Sequence, residues 1–355
     1  MSLPLTPTSP QELADAVRSA PRVIVVGAGT KPRLARVADD FVRIATTRLR
    51  GIVEYEPSEF TFTALAGTPL REIAAALASQ GQYLPFDPML AEAGATLGGT
   101  VAAGLSGPGR FRFGGLRDFI LGVRFVDGEG RLLRLGGKVV KNAAGFDVPK
   151  FFVGGLGRFG ALAELTFKVF PRPAALRTLR LDAADDAAQL KILTAAAGAR
   201  WECDALDTAL DEPAVLARIG GPAAALDALC AEILARFPGA ILADGEASSH
   251  WRRATEFLWA HDGGSLAKFA ITPAQVPEFS AWARRRPGGR GWISAGGNVG
   301  YVAAESGAAL ADAPWPGVML RGTGPLWIGP QRAPAIIAAV KHALDPHGRF
   351  PSLND

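Results

Sequence analysis

Cysteine, tyrosine and histidine are scarce in this chain, with two, three and four copies among 355 residues. The two cysteines, Cys203 and Cys230, stand 27 positions apart with no C-x-x-C, which excludes zinc sites and cysteine-ligated iron–sulfur clusters built from this chain alone. His250, His261, His342 and His347 form no H-x-x-x-H or similar ligand cluster, so no metal site is expected. No apolar run approaches the ~18–20 residues of a membrane span, and Met1–Pro10 has neither a basic start nor the apolar stretch of a secretory leader. A soluble, cytoplasmic protein is the expectation. Internal repeats and low-complexity tracts are also missing.

Charged residues make up 20% of the chain and hydrophobic ones 48%, a balance that closes a large core and excludes a disordered chain. The formal net charge is +4, and the surplus is local: eight basic residues face three acids between Arg110 and Lys141. A basic stretch this short, interleaved with glycines, suits a phosphorylated small molecule, and no nucleic-acid partner is expected.

Ser9-Pro10-Gln11-Glu12 has the pattern of a cap, a first-turn proline and a capping box, so a helix should run to about Ala20. Val23 to Val26 is a strand by length and apolarity, followed at once by Gly27-Ala28-Gly29-Thr30-Lys31-Pro32. Thr63 to Ala66 reads as a strand, and Thr68-Pro69 as the cap and first position of a helix with Leu70, Ile73, Ala74 and Leu77 on one buried face. A hairpin is expected from Ile120 to Leu135, turning at 127–130. Alternation from Ala161 to Val169 predicts a strand with one wet face. Beyond Pro171-Arg172-Pro173 the chain becomes alanine-rich, with helices near 182–197, 223–237 and 275–285 and strands near 240–243, 265–271 and 292–301. That mix predicts an α+β domain with an antiparallel sheet.

A strand running into Gly27-Ala28-Gly29-Thr30 bares backbone N–H groups, the arrangement that cradles a pyrophosphate. A Rossmann site fails here, because the third glycine of G-x-G-x-x-G falls on Pro32, which has no N–H to offer. Gly94 to Gly104 is a second run of small residues, read as a ligand-lining stretch that lets something flat or bulky approach the backbone.

These residues carry a resemblance. Val25 to Lys31 resembles the pyrophosphate loop of the vanillyl-alcohol-oxidase/PCMH flavoprotein family, and Ala95-Thr96-Leu97-Gly98-Gly99-Thr100 resembles its second flavin-binding segment. Gly137 to Asp147 and Gly154 to Glu164 are similar to the FAD-binding E subunits of bacterial glycolate oxidases within that family, and the tail Leu344 to Phe350 resembles the family's closing motif. The resemblance implies an α+β fold: a PCMH-type FAD-binding domain over residues 1–172, completed by 326–355, and an antiparallel-sheet cap over 173–325.

It also implies residue roles. Gly27, Ala28, Gly29, Thr30, Lys31 and Pro32 would hold the FAD pyrophosphate, and Ala95, Thr96, Leu97, Gly98, Gly99 and Thr100 would border the diphosphate and the ring. Arg117 reads either as a flavin contact or as an ion pair with Asp118 that fixes its loop. Lys141 and Asn142, with Gly145 in the same motif, would donate to the flavin edge where negative charge gathers on reduction. Gly154, Gly157, Gly160 and Ala163 would admit the adenine end. All histidines and cysteines lie beyond residue 200, so the FAD is expected to be non-covalent.

Oxidising a 2-hydroxy acid needs a cation for the carboxylate and a base for the hydroxyl proton. Arg321 is the candidate cation with Lys268 behind it, and His261 beside Asp262 is the candidate base. The implied function is an FAD-binding subunit of a complex oxidising glycolate or D-lactate to the 2-oxo acid, alongside a second FAD subunit and an iron–sulfur subunit. Through these partners the complex would associate peripherally with the inner membrane. An independent FAD-dependent 2-hydroxyacid dehydrogenase or alcohol oxidase, and a non-catalytic flavin-binding subunit, remain the alternatives.

Overall fold

The computed structural model of the chain describes residues 3–137, 148–330 and 334–353. Ser9 caps the first helix, Pro10–Arg18, and accepts from the Glu12 N–H. The Glu12 carboxylate does not complete a capping box with Ser9; it turns one residue further out and accepts from the N–H and hydroxyl of Thr8. Val23–Val26 pairs in parallel with Val42–Ala45, and this two-stranded unit delivers the chain to the glycine loop at residue 27.

A five-stranded antiparallel sheet follows, in the spatial order Ile52–Glu56, Thr61–Leu65, Ala161–Lys168, Ile120–Val126, Leu132–Gly136. The hairpin expected from 120 to 135 forms its edge. Ala161–Lys168 is the central strand, and the wet face expected of it does not exist: every residue but Lys168 is buried. The helix Pro10–Arg18 covers Ala161 and Ala163, the Thr63 and Thr166 hydroxyls meet at 2.9 Å, and Glu164 pairs with Arg124 at 3.1 Å. Polar side chains on this strand mark bonds within the sheet, not solvent.

Expectations for the neighbouring helix also change. Pro69, not Thr68, is the cap of the helix Leu70–Ala78, and Ala74, expected on its buried face, is exposed. Thr68 is buried and instead donates to the Leu65 carbonyl at 2.7 Å and accepts from Gly51 N–H at 2.9 Å. The small-residue run is helical from Leu97 to Ala103, capped by Thr96 and ended by Gly104 at φ +60°. Glycine is required at 98 by contact: a Cβ there would lie 2.7 Å from the Ala66 Cβ, so the helix sits directly on the strand end.

From Ala175 to Ile328 the strands build one nine-stranded antiparallel sheet. Residues 292–301 are two strands, Arg290–Ser294 and Val299–Ala304, joined by a tight turn at Ala295–Gly297. The helix Asp244–Thr255 is an addition, hidden in the sequence by its polar composition. Phe62, Phe86 and Phe167 share a hydrophobic core with Trp259, Trp292 and Tyr301, so one continuous core joins the two large sheets. The chain then returns: after the helix Pro334–Leu344, Phe350 enters the core beside Val23, whose N–H donates to Arg349 O at 2.7 Å.

One buried acid gives this packing a pH signature. Asp207 is fully buried and accepts from Trp292 Nε1 at 2.8 Å, Ser294 Oγ at 2.9 Å and Ala295 N–H at 3.2 Å. Burial raises its pKa from an ordinary 3.8 to about 7, outweighing those three donors. With the folded value above the unfolded one, stability that is full below the ordinary value is lost as pH rises toward the folded value, up to ~4 kcal/mol in all. Asp207→Asn is expected to lack this loss. His250, held down to about 4 by burial, works in the opposite direction in both proteins and cancels in their difference. Calorimetric melting of both proteins from pH 4 to 8 checks it: a wild-type-minus-variant difference flat across that range defeats the assignment.

Candidate functional site

The strand Val23–Val26 ends at the floor of a narrow groove of about 90 Å³. Gly27, Ala28, Gly29, Thr30 and Lys31 form one wall, and Thr96, Gly98, Gly99, Gly157 and Gly160 stand among the residues lining the rest. Among the described residues, no backbone N–H from Gly27 to Lys31 finds a protein acceptor. Gly29 has φ +72° and open space where a side chain would stand. At Gly27 the space is closed, since a Cβ would lie 2.4 Å from Thr96 Oγ1. The Lys31 ammonium is buried at this wall, 2.8 Å from the Thr30 hydroxyl, and burial lowers its pKa to about 8. Bare amides plus a desolvated ammonium make a site that an anion completes. The diphosphate of a dinucleotide fits these residues.

Ala103 and Leu156 line this groove and also a second, larger cavity of about 730 Å³. The two spaces therefore share a wall. The cavity lies between the flavin-type segments and the nine-stranded sheet, with Arg110, Arg117 and Lys268 as its cations and Val318, Trp327, Ile328, Ile337 and Leu353 as apolar wall. Lys268, on the strand Ser265–Ala270, donates from Nζ to Gly104 O at 2.8 Å, bridging from the sheet to the end of the glycine-rich helix. Burial, and secondarily the charge of Arg110, lowers its pKa to about 8.

The remaining residues singled out in the sequence fall elsewhere. Pro32 opens the 3-10 turn Pro32–Ala35, whose Leu34 and Ala35 line the groove. Ala95, Leu97 and Ala163 are core residues, and the Thr100 hydroxyl is buried without a partner. Gly154 and Arg117 line the cavity, not the groove. The expected Arg117–Asp118 ion pair does not form; Asp118 Oδ2 instead accepts from Gly115 N–H at 2.8 Å, across the start of a short helix. Arg321 donates to the His261 carbonyl and to Gly264 O at 3.2 Å, and His261 Nε2 meets Gly288 O at 3.0 Å, so both lie on a loop-bracing network away from the two spaces. Lys141, Asn142 and Gly145 lie outside the described residues. Leu156, Leu162 and Ala66 complete the groove without a polar or glycine signal, which is why the sequence alone does not mark them.

A strand-to-glycine-loop groove that bares amides and shares a wall with a cationic cavity has the donor set of a dinucleotide site. Residues 2–136 match the family described as an FAD binding domain. The chain is 43% identical over 171 residues to glycolate oxidase subunit GlcE of Escherichia coli, covering 48% of each chain. It is 29% identical over 255 residues to glycolate oxidase subunit GlcD of Bacillus subtilis, covering 66% of this chain and 51% of that one. The chain thus spans about half the length of these curated relatives. A solved alkyldihydroxyacetonephosphate synthase shares the fold, with a TM-score of 0.72 at 15% identity over 98% of this chain and 77% of that one. Among the described residues no helix is long and apolar enough to cross a membrane.

Proposed function

We propose that this chain is the FAD-binding subunit of a complex that oxidises glycolate or D-lactate to the 2-oxo acid, holding its FAD without a covalent bond. Lys268 is the observation that carries the reading, a desolvated cation facing a cavity that shares a wall with the dinucleotide groove. The similarity to two glycolate oxidase subunits supports it. When bound, FAD would supply the hydride acceptor for oxidation of the carbon bearing the hydroxyl. The amides of Gly27 to Lys31 would hold its diphosphate, Lys268 would fix the substrate carboxylate, and the apolar walls would exclude water. Neither groove nor cavity is lined by a histidine, cysteine or tyrosine among the described residues, which supports non-covalent FAD.

The division into an FAD-binding unit, 1–172 with 326–355, and a cap, 173–325, belongs to the same reading. So do a second FAD subunit and an iron–sulfur subunit as partners. Among the described residues lining the cavity there is no imidazole, and Asp118, which accepts from Gly115 N–H at Oδ2, is the single carboxylate at hand for the hydroxyl proton. That scarcity favours a chain that works beside a partner over one that works alone. Anaerobic photometry of the FAD-loaded chain with glycolate, with and without the partner subunits, tests this. Bleaching of the visible flavin band only with partners is expected. Bleaching by the chain alone would make it an independent dehydrogenase, and a chain that stays colourless with added FAD would end the reading.

A further inference from the structure

We propose that the cavity takes 2-hydroxy acids with an apolar side chain of about six carbons, Lys268 meeting the carboxylate and Val318 and Trp327 lying along the chain. This rests on the reading of the chain as a 2-hydroxy-acid flavoprotein and puts longer acids in place of glycolate and D-lactate as the preferred substrates.

The first ground is register. Lys268 stands directly opposite Val318 on the neighbouring strand Gly317–Arg321, and Val318 stands opposite Trp327 on the next strand. Directly paired residues share a face of the sheet, and all three line the cavity. Adjacent strands are ~4.8 Å apart, so the row runs from cation to isopropyl to indole over roughly 10 Å. A two-carbon acid held at Lys268 would end beside Val318 and leave the indole untouched. Trp327 is fixed in place, because its Nε1 donates to Leu353 O at 2.6 Å. Phe269 and Met319, on the opposite face of the same strands, are packed in the core, so the register has no slack to turn the row away.

The second ground is volume. A cavity of about 150 Å³ holds one benzene, so the 730 Å³ here is room for roughly five such rings. Were the flavin ring to reach into this cavity from the neighbouring groove, it would take roughly three of the five. The space left matches a carboxylate head with one ring-sized or six-carbon body, several times what glycolate fills. Its apolar part is lined by Val318, Trp327 and Ile337, side chains that gain nothing from a polar ligand and about fourfold in affinity per methylene they cover.

The test uses the full FAD-loaded chain with its partner subunits. Calorimetric titration compares octanoate with acetate, two acids that cannot be oxidised, and anaerobic photometry compares 2-hydroxyoctanoate with glycolate. We expect octanoate to bind at least thirtyfold more tightly than acetate and 2-hydroxyoctanoate to reduce the flavin at correspondingly lower concentration. Val318→Trp, which fills the row, and Trp327→Ala, which removes its far end, should each collapse the preference. Equal binding of the two acids, or a preference untouched by both variants, overturns the proposal. If glycolate bleaches the flavin and octanoate shows no advantage, the oxidoreductase reading survives and this inference falls. If octanoate binds as expected but neither hydroxy acid bleaches the flavin, the cavity assignment stands and the oxidation falls.

Discussion

Gly27→Val is expected to give a folded, colourless protein whose FAD dissociation constant is raised at least a hundredfold, close to 3 kcal/mol. Backbone strain is not the reason, because Gly27 is not among the glycines of positive φ. The reason is space: the new Cβ would stand 2.4 Å from Thr96 Oγ1, and Thr96 is buried and accepts from Gly99 N–H at 3.3 Å as the cap of the helix Leu97–Ala103. A side chain at 27 therefore pushes the cap aside and closes the groove between its two walls. The fold loses only what a cap is worth, ~1 kcal/mol, while the binding wall loses its shape. Removing the obstacle should restore part of the affinity, so the double variant Gly27→Ala with Thr96→Ala is expected to bind FAD better than Gly27→Ala alone. Fluorescence titration of FAD, with melting curves as the control for folding, measures both effects. A Gly27→Val protein that retains wild-type affinity would mean that the groove is not where the diphosphate lies.

How much of this could be read from the letters depends on which physics each residue uses. Local rules delivered the strand at Val23–Val26, the hairpin at 120–135 and the helix burying Leu70, Ile73 and Leu77, because each is written in turn chemistry or periodicity over a few neighbouring residues. The glycine loop is legible for the same reason: bared amides need glycines in sequence. Thr166 and Glu164 misled because their partners, Thr63 and Arg124, are supplied by other strands and no local pattern announces them. The run from Leu97 to Ala103 carries no local sign of its helical form. Its small residues suit a flexible loop equally well, and only the contact of Gly98 with Ala66 and the cap at Thr96 select a helix. In the cavity, Lys268 could be suspected as a cation in the chain, but the row it forms with Val318 and Trp327 exists only once three strands are paired in register. Arg321 has the same composition signal as Lys268, yet donates to two backbone carbonyls of the loop at 261–264. Charge type is written in the sequence; which cation is left facing a cavity is decided by tertiary pairing.

Lys268→Met is expected to lower kcat/KM for the hydroxy acid by roughly tenfold to a hundredfold near neutral pH, the worth of a charge-assisted hydrogen bond to a carboxylate. The more telling result is the pH profile. Burial lowers the Lys268 pKa to about 8, so the ammonium is present in the free protein below that value and disappears above it. If the ammonium anchors the carboxylate, wild-type kcat/KM falls about tenfold per pH unit on the alkaline side, and the methionine variant lacks this limb. Lys268→Arg keeps a charge that does not titrate in this range, so it should retain part of the activity and also lose the limb. Were Lys268 instead the base for the hydroxyl proton, the neutral amine would be the active form and kcat/KM would climb through pH 8. A bound carboxylate also favours the charged form, so the limb in kcat should lie at higher pH than the limb in kcat/KM. An anchoring role requires both the fall and that displacement, whereas a lysine that merely ties the sheet to Gly104 O would move the melting temperature and leave the position of the limb unchanged.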